Sequence, residues 1–501
     1  MSAAKPLTVE EDDIQGLVRF GYGKLTQASF LLMRVRDAAS ARAWLAGCPV
    51  ASAREQSPPP RRALQVAISC PGLRALGVQE DIVQGFSREF LAGMSSDDSR
   101  SRRLGDFGPN APAYWQWGGH ADAVPHVLLM LYAWPGELGD WQQQVLGQCA
   151  NGLELMTCLD TSDMDGVEPF GFADGISQPS LDWRRKRPVR DAQALDYSNL
   201  SCLGEYLLGY PNEYGEYSDR PLLRDEFDAD GRLPRAEESP EWADLGRNGS
   251  YLVLRQLHQD VGGFWRFVHA AAGGNDVRRE QLAAAMVGRS RDGLPLLDGM
   301  GHVIEGERDP INSFTYEDDP RGERCPLGAH IRRSNPRNAD LPAGIGGRGP
   351  ISRLIRTLGF DSQALAQDHV SSTRFHRLLR RGREYGQGLS IEQALAGEGG
   401  SDQGTGLHFI CLGANIGRQF EFVQGAWVAG THFDGLHNEG DPLLGHRMPE
   451  PNGTPTDVFS IPTEGGCDFR LEGLPQFVRV VGGAYFFLPG IRALRFIAKE
   501  P

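Results

Sequence analysis

Nowhere in this chain does an apolar run reach the roughly 18 residues that a membrane-spanning helix needs, so no span is expected. The opening residues, MSAAKPLTVEEDD, carry neither a basic start nor an apolar stretch, so no secretory signal peptide is expected. Positive charge is not in excess either. Lys and Arg number 51 against 65 Asp and Glu, a net charge of −14. Nucleic acid and anionic lipid both call for a basic face, so neither a nucleic-acid partner nor a membrane partner is expected. The cysteines at 48, 70, 149, 158, 202, 325, 411 and 467 form no CxxC and no pair with zinc-ligand spacing. In a long chain they read as reduced thiols of a cytoplasmic protein, not as a disulfide framework. No G-x-G-x-x-G follows a strand, which weakens a doubly wound dinucleotide fold.

What is present describes a globular protein. Hydrophobic residues make up 40% and charged residues 23% of 501 positions. That length implies more than one core. In the first half, FLLMRVR (Phe30–Arg36), ALQVAIS and HVLLMLYA read as strands. DAASARAWLAG and DWQQQVLGQ read as helices between them. The style returns at Ser250. SYLVLRQL and LHFICL alternate as strands, and HQDVGGFWRFVHAAA follows the first as a helix. Leu407, Phe409 and Cys411 share one face of their strand. Ile416, Phe420 and Val423 share one face of a helix. RVVGG and AYFFLPG are expected to close the chain as a hairpin-like pair. Between the halves, residues 184–248 are irregular. Their basic start, WRRKRPVR, is expected to be a solvated loop balanced by nearby acids. Two strand–helix modules around an irregular middle predict an α+β fold of two ferredoxin-like domains with antiparallel sheets. The expected domains are 1–245 and 246–501.

Three stretches carry chemistry. GFADGISQPS (Gly171–Ser180) sets Asp174 between glycines in a turn-prone frame. CPLGAHIRRSNPR (Cys325–Arg337) places His330 ahead of Arg332, Arg333 and Arg337, a pattern suited to an anionic ligand beside an imidazole. RLLRRGREYG (Arg377–Gly386) pairs Arg380 with Arg381, so that one faces inward and one outward. An imidazole can ligate iron, a carboxylate and a guanidinium can serve the iron's open face, and arginines can pair with the carboxylates of a planar cofactor. That is haem chemistry.

These motifs resemble those of the dye-decolourising peroxidases. GFADG fits the family's GxxDG signature. DIQGLVRFGYG, GSYLVLRQL, MVGRSRDGLPL, GLHFICLGANIGRQFEFVQ and GGAYFFLPG are further matches, from near the first residue to near the last. The long gap between His330 and Arg380, with its GIGGRGP, is similar to the larger branch of the family. The resemblance implies haem b held mainly in the second domain, with His330 as the proximal iron ligand. It implies Asp174 as the distal acid–base residue and Arg380 as the distal arginine. Leu407 and Phe409 match the apolar distal wall. Gly175 and Ile176, next to Asp174, and Arg332, a propionate partner, complete the cofactor contacts. Glu439 and Asp441 are both candidates for the acid that hydrogen-bonds the proximal imidazole. Tyr385 falls where some members carry a surface tyrosine that relays electrons from bulky dyes. The implied activity is reduction of hydrogen peroxide and, through a ferryl intermediate, oxidation of dyes, phenols and other one-electron donors, by a monomer or homo-oligomer. An aspartate base implies an acidic optimum. The alternative is a haem carrier or iron-releasing haem-handling protein without peroxidase turnover.

Overall fold

The structure, a computed structural model, describes residues 8–186, 198–297, 302–303, 311–337, 372–397 and 404–499. The GIGGRGP stretch and the second half of WRRKRPVR, 187–190, lie outside the described residues.

Four strands of the first half are β1 (Gln27–Val35), β2 (Arg62–Ile68), β3 (Val127–Ala133) and β4 (Leu153–Asp160). Helix α1 (Ala38–Gly47) follows β1 and α2 (Leu138–Cys149) follows β3. The second half supplies β5 (Ser250–Gln259), β6 (Leu379–Arg380), β7 (Arg383–Tyr385), β8 (Gly406–Gly413) and β9 (Val478–Leu488). Its helices include α3 (Val261–Ala271), α4 (Asp276–Val287) and the short α5 (His330–Ser334). The strand order is β6-β8-β5-β9-β2-β3-β1-β4, with β7 also on β8. Every one of these pairings is antiparallel. The first half therefore sets its first strand beside its third and fourth, the ferredoxin-like arrangement, and the second does the same when β6 and β7, both paired to β8, are counted as one strand. The halves fuse edge to edge where Phe487 of β9 pairs with Ile68 of β2, so one sheet runs through both.

Side-chain alternation explains why that sheet has two covered faces. Val127, Leu129 and Leu131 of β3 join one core, and Leu128, Met130 and Tyr132 join the other. The first core lies against the helices, through Leu45, Val145, Phe264 and Trp265. The second lies under Ile14, Leu17, Leu203, Tyr206 and Tyr210. The irregular middle thus buries one sheet face instead of standing in solvent. Burial of each such large apolar side chain contributes about 1.5–3 kcal/mol. Within the basic cluster, Arg185 is not free in solvent but bonds both oxygens of Glu237, at 2.8 and 2.6 Å.

The expected closing hairpin is instead a single eleven-residue strand, β9. Its glycine pair reads as a turn in the sequence, but it serves close packing. A Cβ on Gly482 would meet Nε1 of Trp117 at 2.3 Å, and the ladder shifts register between Val480 and Gly482. The helix expected around Ile416, Phe420 and Val423 is present as two wide-turn segments, Gly417–Glu421 and Val423–Val428. Their N–H groups reach back five residues, as from Glu421 to Ile416. All three apolar residues are buried.

Candidate functional site

On the helix side of the second half-sheet lies a cavity whose empty space is about 2070 Å³, counting the part open to solvent. Its floor is sheet: Arg255, Leu257 and Gln259 of β5, Leu407 and Phe409 of β8, and Arg380 of β6. Its walls come from the Asp174 loop, α5 and the wide-turn helix. The three motifs, far apart in sequence, meet here.

His330 opens α5. Residues four apart share a helix face, so His330 and Ser334 both look into the cavity. The imidazole Nδ1 bonds Oδ2 of Asp441 at 2.8 Å. Oδ1 of Asp441 accepts from the backbone N–H of Leu443 and Leu444, at 2.9 and 2.8 Å. Asp441 is fully buried. Burial opposes charge on both groups, yet their mutual attraction wins. It holds the His330 pKa above its ordinary value and that of Asp441 below. The Asp441 contact leaves Nε2 as the nitrogen offered to a ligand.

Glycine is required on either side of Asp174 because φ is +91° at Gly171 and +76° at Gly175. The loop folds back on itself, with Asp174 N–H donating to Gly166 at 3.2 Å. Oδ1 of Asp174 accepts from Nη1 of Arg380 at 2.9 Å. Gln178, from the same motif, accepts the backbone N–H of Arg380 at 3.0 Å. Burial would raise the Asp174 pKa, but the Arg380 guanidinium and the Gly175 N–H together hold it below the ordinary carboxylate value. The arginine pair divides as strand alternation demands. Arg381 turns to the other side and donates to the carbonyls of Leu17 and Val18 at 2.7 and 3.0 Å.

Leu407, Phe409 and Ile176 line the cavity, and Gly175 does not. Gly175 acts through its N–H on Asp174. Arg332 is a correction. It shares a helix with His330 but points away, fully buried, with Nη1 on Asp319 Oδ2 at 3.0 Å and on the Cys325 carbonyl at 2.8 Å. The arginines that do line the cavity are Arg255, Arg289, Arg337, Arg377 and Arg380. Arg289 stands in MVGRSRDGLPL, where its spacing gave no signal. Burial, together with repulsion from Arg337 and Arg380, lowers its pKa to about 10. Of the two acids offered for the imidazole, Asp441 makes the contact. Glu439 lies over Gly328, where a Cβ would meet its Oε1 at 2.4 Å. Tyr385 is also a correction, because it is not on the surface. It pairs with Gly406 across β7 and β8, is 9% exposed, and donates to the Leu257 carbonyl at 3.1 Å. Its ring stacks on His408 at 4.4 Å.

Glu168 and the Arg255–Asp106 pair also line the cavity, and nothing in their spacing marked them. Glu168 is a half-buried carboxylate whose pKa desolvation lifts to about 7, against the pull of the Phe170 N–H and the Gln259 amide. Among the described residues, no cluster of three or more His, Cys, Asp or Glu side chains could hold a bare metal ion.

No family model matches the chain. Curated relatives do. Dye-decolorizing peroxidase msp1 of Mycetinis scorodonius is 28% identical, with 99% of this chain and 89% of that protein covered. The multifunctional dye peroxidase DyP2 of Amycolatopsis is 28% identical over 77% of this chain and 74% of its own. Among solved structures, a dye-decolorizing peroxidase in complex with 2,6-dimethoxyphenol superposes with a TM-score of 0.72 at 24% identity, covering 98% of this chain and all of that one. A fungal DyP-type peroxidase from Auricularia auricula-judae gives 0.70 at 24% identity, covering 99% of this chain and 100% of its own. These structures share the fold, and curated relatives matched over nearly the whole chain are dye-decolourising peroxidases: along its length the chain is similar to that family, and to its larger, fungal members.

Proposed function

We propose that this chain is a haem b peroxidase that reduces hydrogen peroxide and oxidises dyes, phenols and other one-electron donors. The observation that carries this is the meeting of His330 with the Asp174–Arg380 pair on one cavity. The residues there fit haem. One imidazole nitrogen is committed to Asp441, leaving the other for iron. Arg289, Arg337 and Arg380 gather positive charge that the carboxylates of an anionic macrocycle would offset. Leu407, Phe409 and Ile176 supply apolar wall. His330 would hold the iron, and Asp441 would raise the donor strength of the imidazole. When bound, haem supplies a site for peroxide and a store for two oxidising equivalents.

The protein's own part is proton and charge control. Asp174, ionised, takes a proton from one peroxide oxygen and returns it to the other as water leaves. Arg380 stabilises the negative charge growing on the departing oxygen. Their 2.9 Å contact keeps the base ionised and aims both groups at one place. A carrier would have no use for that pair. We also propose that residues 1–245 and 246–501 are the two domains, with the cofactor mainly in the second. All eight cysteines are free thiols, which supports a cytoplasmic location.

The test is an absorbance spectrum of the purified protein before and after one equivalent of peroxide. A Soret band that shifts within milliseconds and is restored by a phenol is expected. A Soret band indifferent to peroxide would favour the carrier.

A further inference from the structure

Glu168 begins the turn that ends at Asp174. Its Oε2 accepts from the Phe170 N–H at 3.0 Å, and its Oε1 accepts from the Phe172 N–H at 3.1 Å. Gln259 Nε2, at the end of β5, donates to Oε2 at 2.9 Å. Three donors converge, two from the turn and one from the sheet. An uncharged amide in place of Glu168 would turn an N–H toward one of them. Drawing a carboxylate even partly out of water is costly unless such donors satisfy it, so shape alone does not account for an acid here. The backbone closes the same turn, with Gly171 N–H on the Glu168 carbonyl at 2.7 Å and Glu168 N–H on the Phe172 carbonyl at 2.8 Å. Beyond the turn, Ala173 N–H bonds the Arg291 carbonyl at 2.9 Å, and Asp174 follows. Phe170 packs on Phe264 of α3, with ring centres 4.6 Å apart.

We propose that Glu168 is a positioning residue: its carboxylate staples the Asp174 turn to the end of β5 and thereby sets where Asp174 meets Arg380. The inference rests on the peroxidase role given to Asp174. Glu168 bonds neither Asp174 nor Arg380; its charge is felt at Asp174, and its hold on position runs through the turn.

Two measurements on the purified holoprotein test it. The first is amide hydrogen exchange of peptides spanning 168–174. Glu168→Gln is expected to speed exchange of that segment about tenfold, the effect of one lost hydrogen bond, with the Soret band unchanged. The second is stopped-flow reaction with peroxide in a double-mutant cycle. Glu168→Gln is expected to slow the peroxide step about tenfold, as misplacement of a reacting group does. In an Asp174→Asn background it should add less than about twofold. Unchanged exchange would overturn the proposal. So would an equal slowing in both backgrounds, since a merely structural role harms both alike. Should Asp174→Asn leave the peroxide step untouched, the peroxidase role of Asp174 fails, while the exchange result still decides the staple.

Discussion

Asp441 is fully buried and Asp174 is 34% exposed, though each holds one basic partner on the same cavity. The difference lies in the donors around them. Asp441 accepts from two backbone N–H groups besides His330, so its position is over-determined. Asp174 shares one oxygen with Arg380 and takes a neighbouring N–H, and its remaining capacity faces the cavity. A group that orients a ligand can be sealed in the protein. A group that exchanges protons with an incoming molecule must keep one side open. On the roles proposed for them, burial thus separates a holding pair from a working pair.

Substitutions on the two sides should fail in different ways. The largest effect is expected for His330→Ala, which should abolish haem retention; an intact Soret band with normal turnover would remove His330 from its role. Next, Arg380→Leu should keep the Soret band but slow the peroxide step about 10²–10³-fold, the usual loss of one preorganised oxyanion donor. A change in haem content with no kinetic defect would reverse the assignment of the two sides. Asp441→Asn should weaken haem affinity about 10–100-fold while the peroxide step of loaded protein changes little, checked by titrating apoprotein with haemin.

Smaller effects sharpen the same contrast. The Asp174 pKa is lowered in the folded protein, so its ionised form persists below pH 3.8 and is lost as pH falls through the lowered value. Peroxide reactivity should therefore hold down to pH 4 and decline only beneath it, and a loss beginning near pH 6 would point to another base. Tyr385→Phe is expected to change oxidation of both bulky dyes and small phenols by less than about twofold, because the ring is buried and its hydroxyl serves a backbone carbonyl. A selective loss on bulky dyes would restore it as a relay.

By itself the sequence determined most of the secondary elements and the chemical cast. Alternation in SYLVLRQL and LHFICL announced strands because side chains on a strand change face at every residue. GFADG and CPLGAH displayed their acid and imidazole openly, and Arg380 and Arg381 had to face apart. Only the tertiary structure decided who touches whom. It chose Asp441 over Glu439, since which of two nearby acids reaches an imidazole depends on how a loop packs on α5. It turned Arg332 away from the cavity, because on a helix a residue two after His330 faces another side. It drew Tyr385 inside through its pairing with Gly406, and it made one strand of RVVGGAYFFL because Trp117 needs the space above Gly482. Local pattern reads out what a residue can do. Its partners are long-range contacts, as with Asp174 and Arg380, 206 positions apart, and no local pattern encodes those.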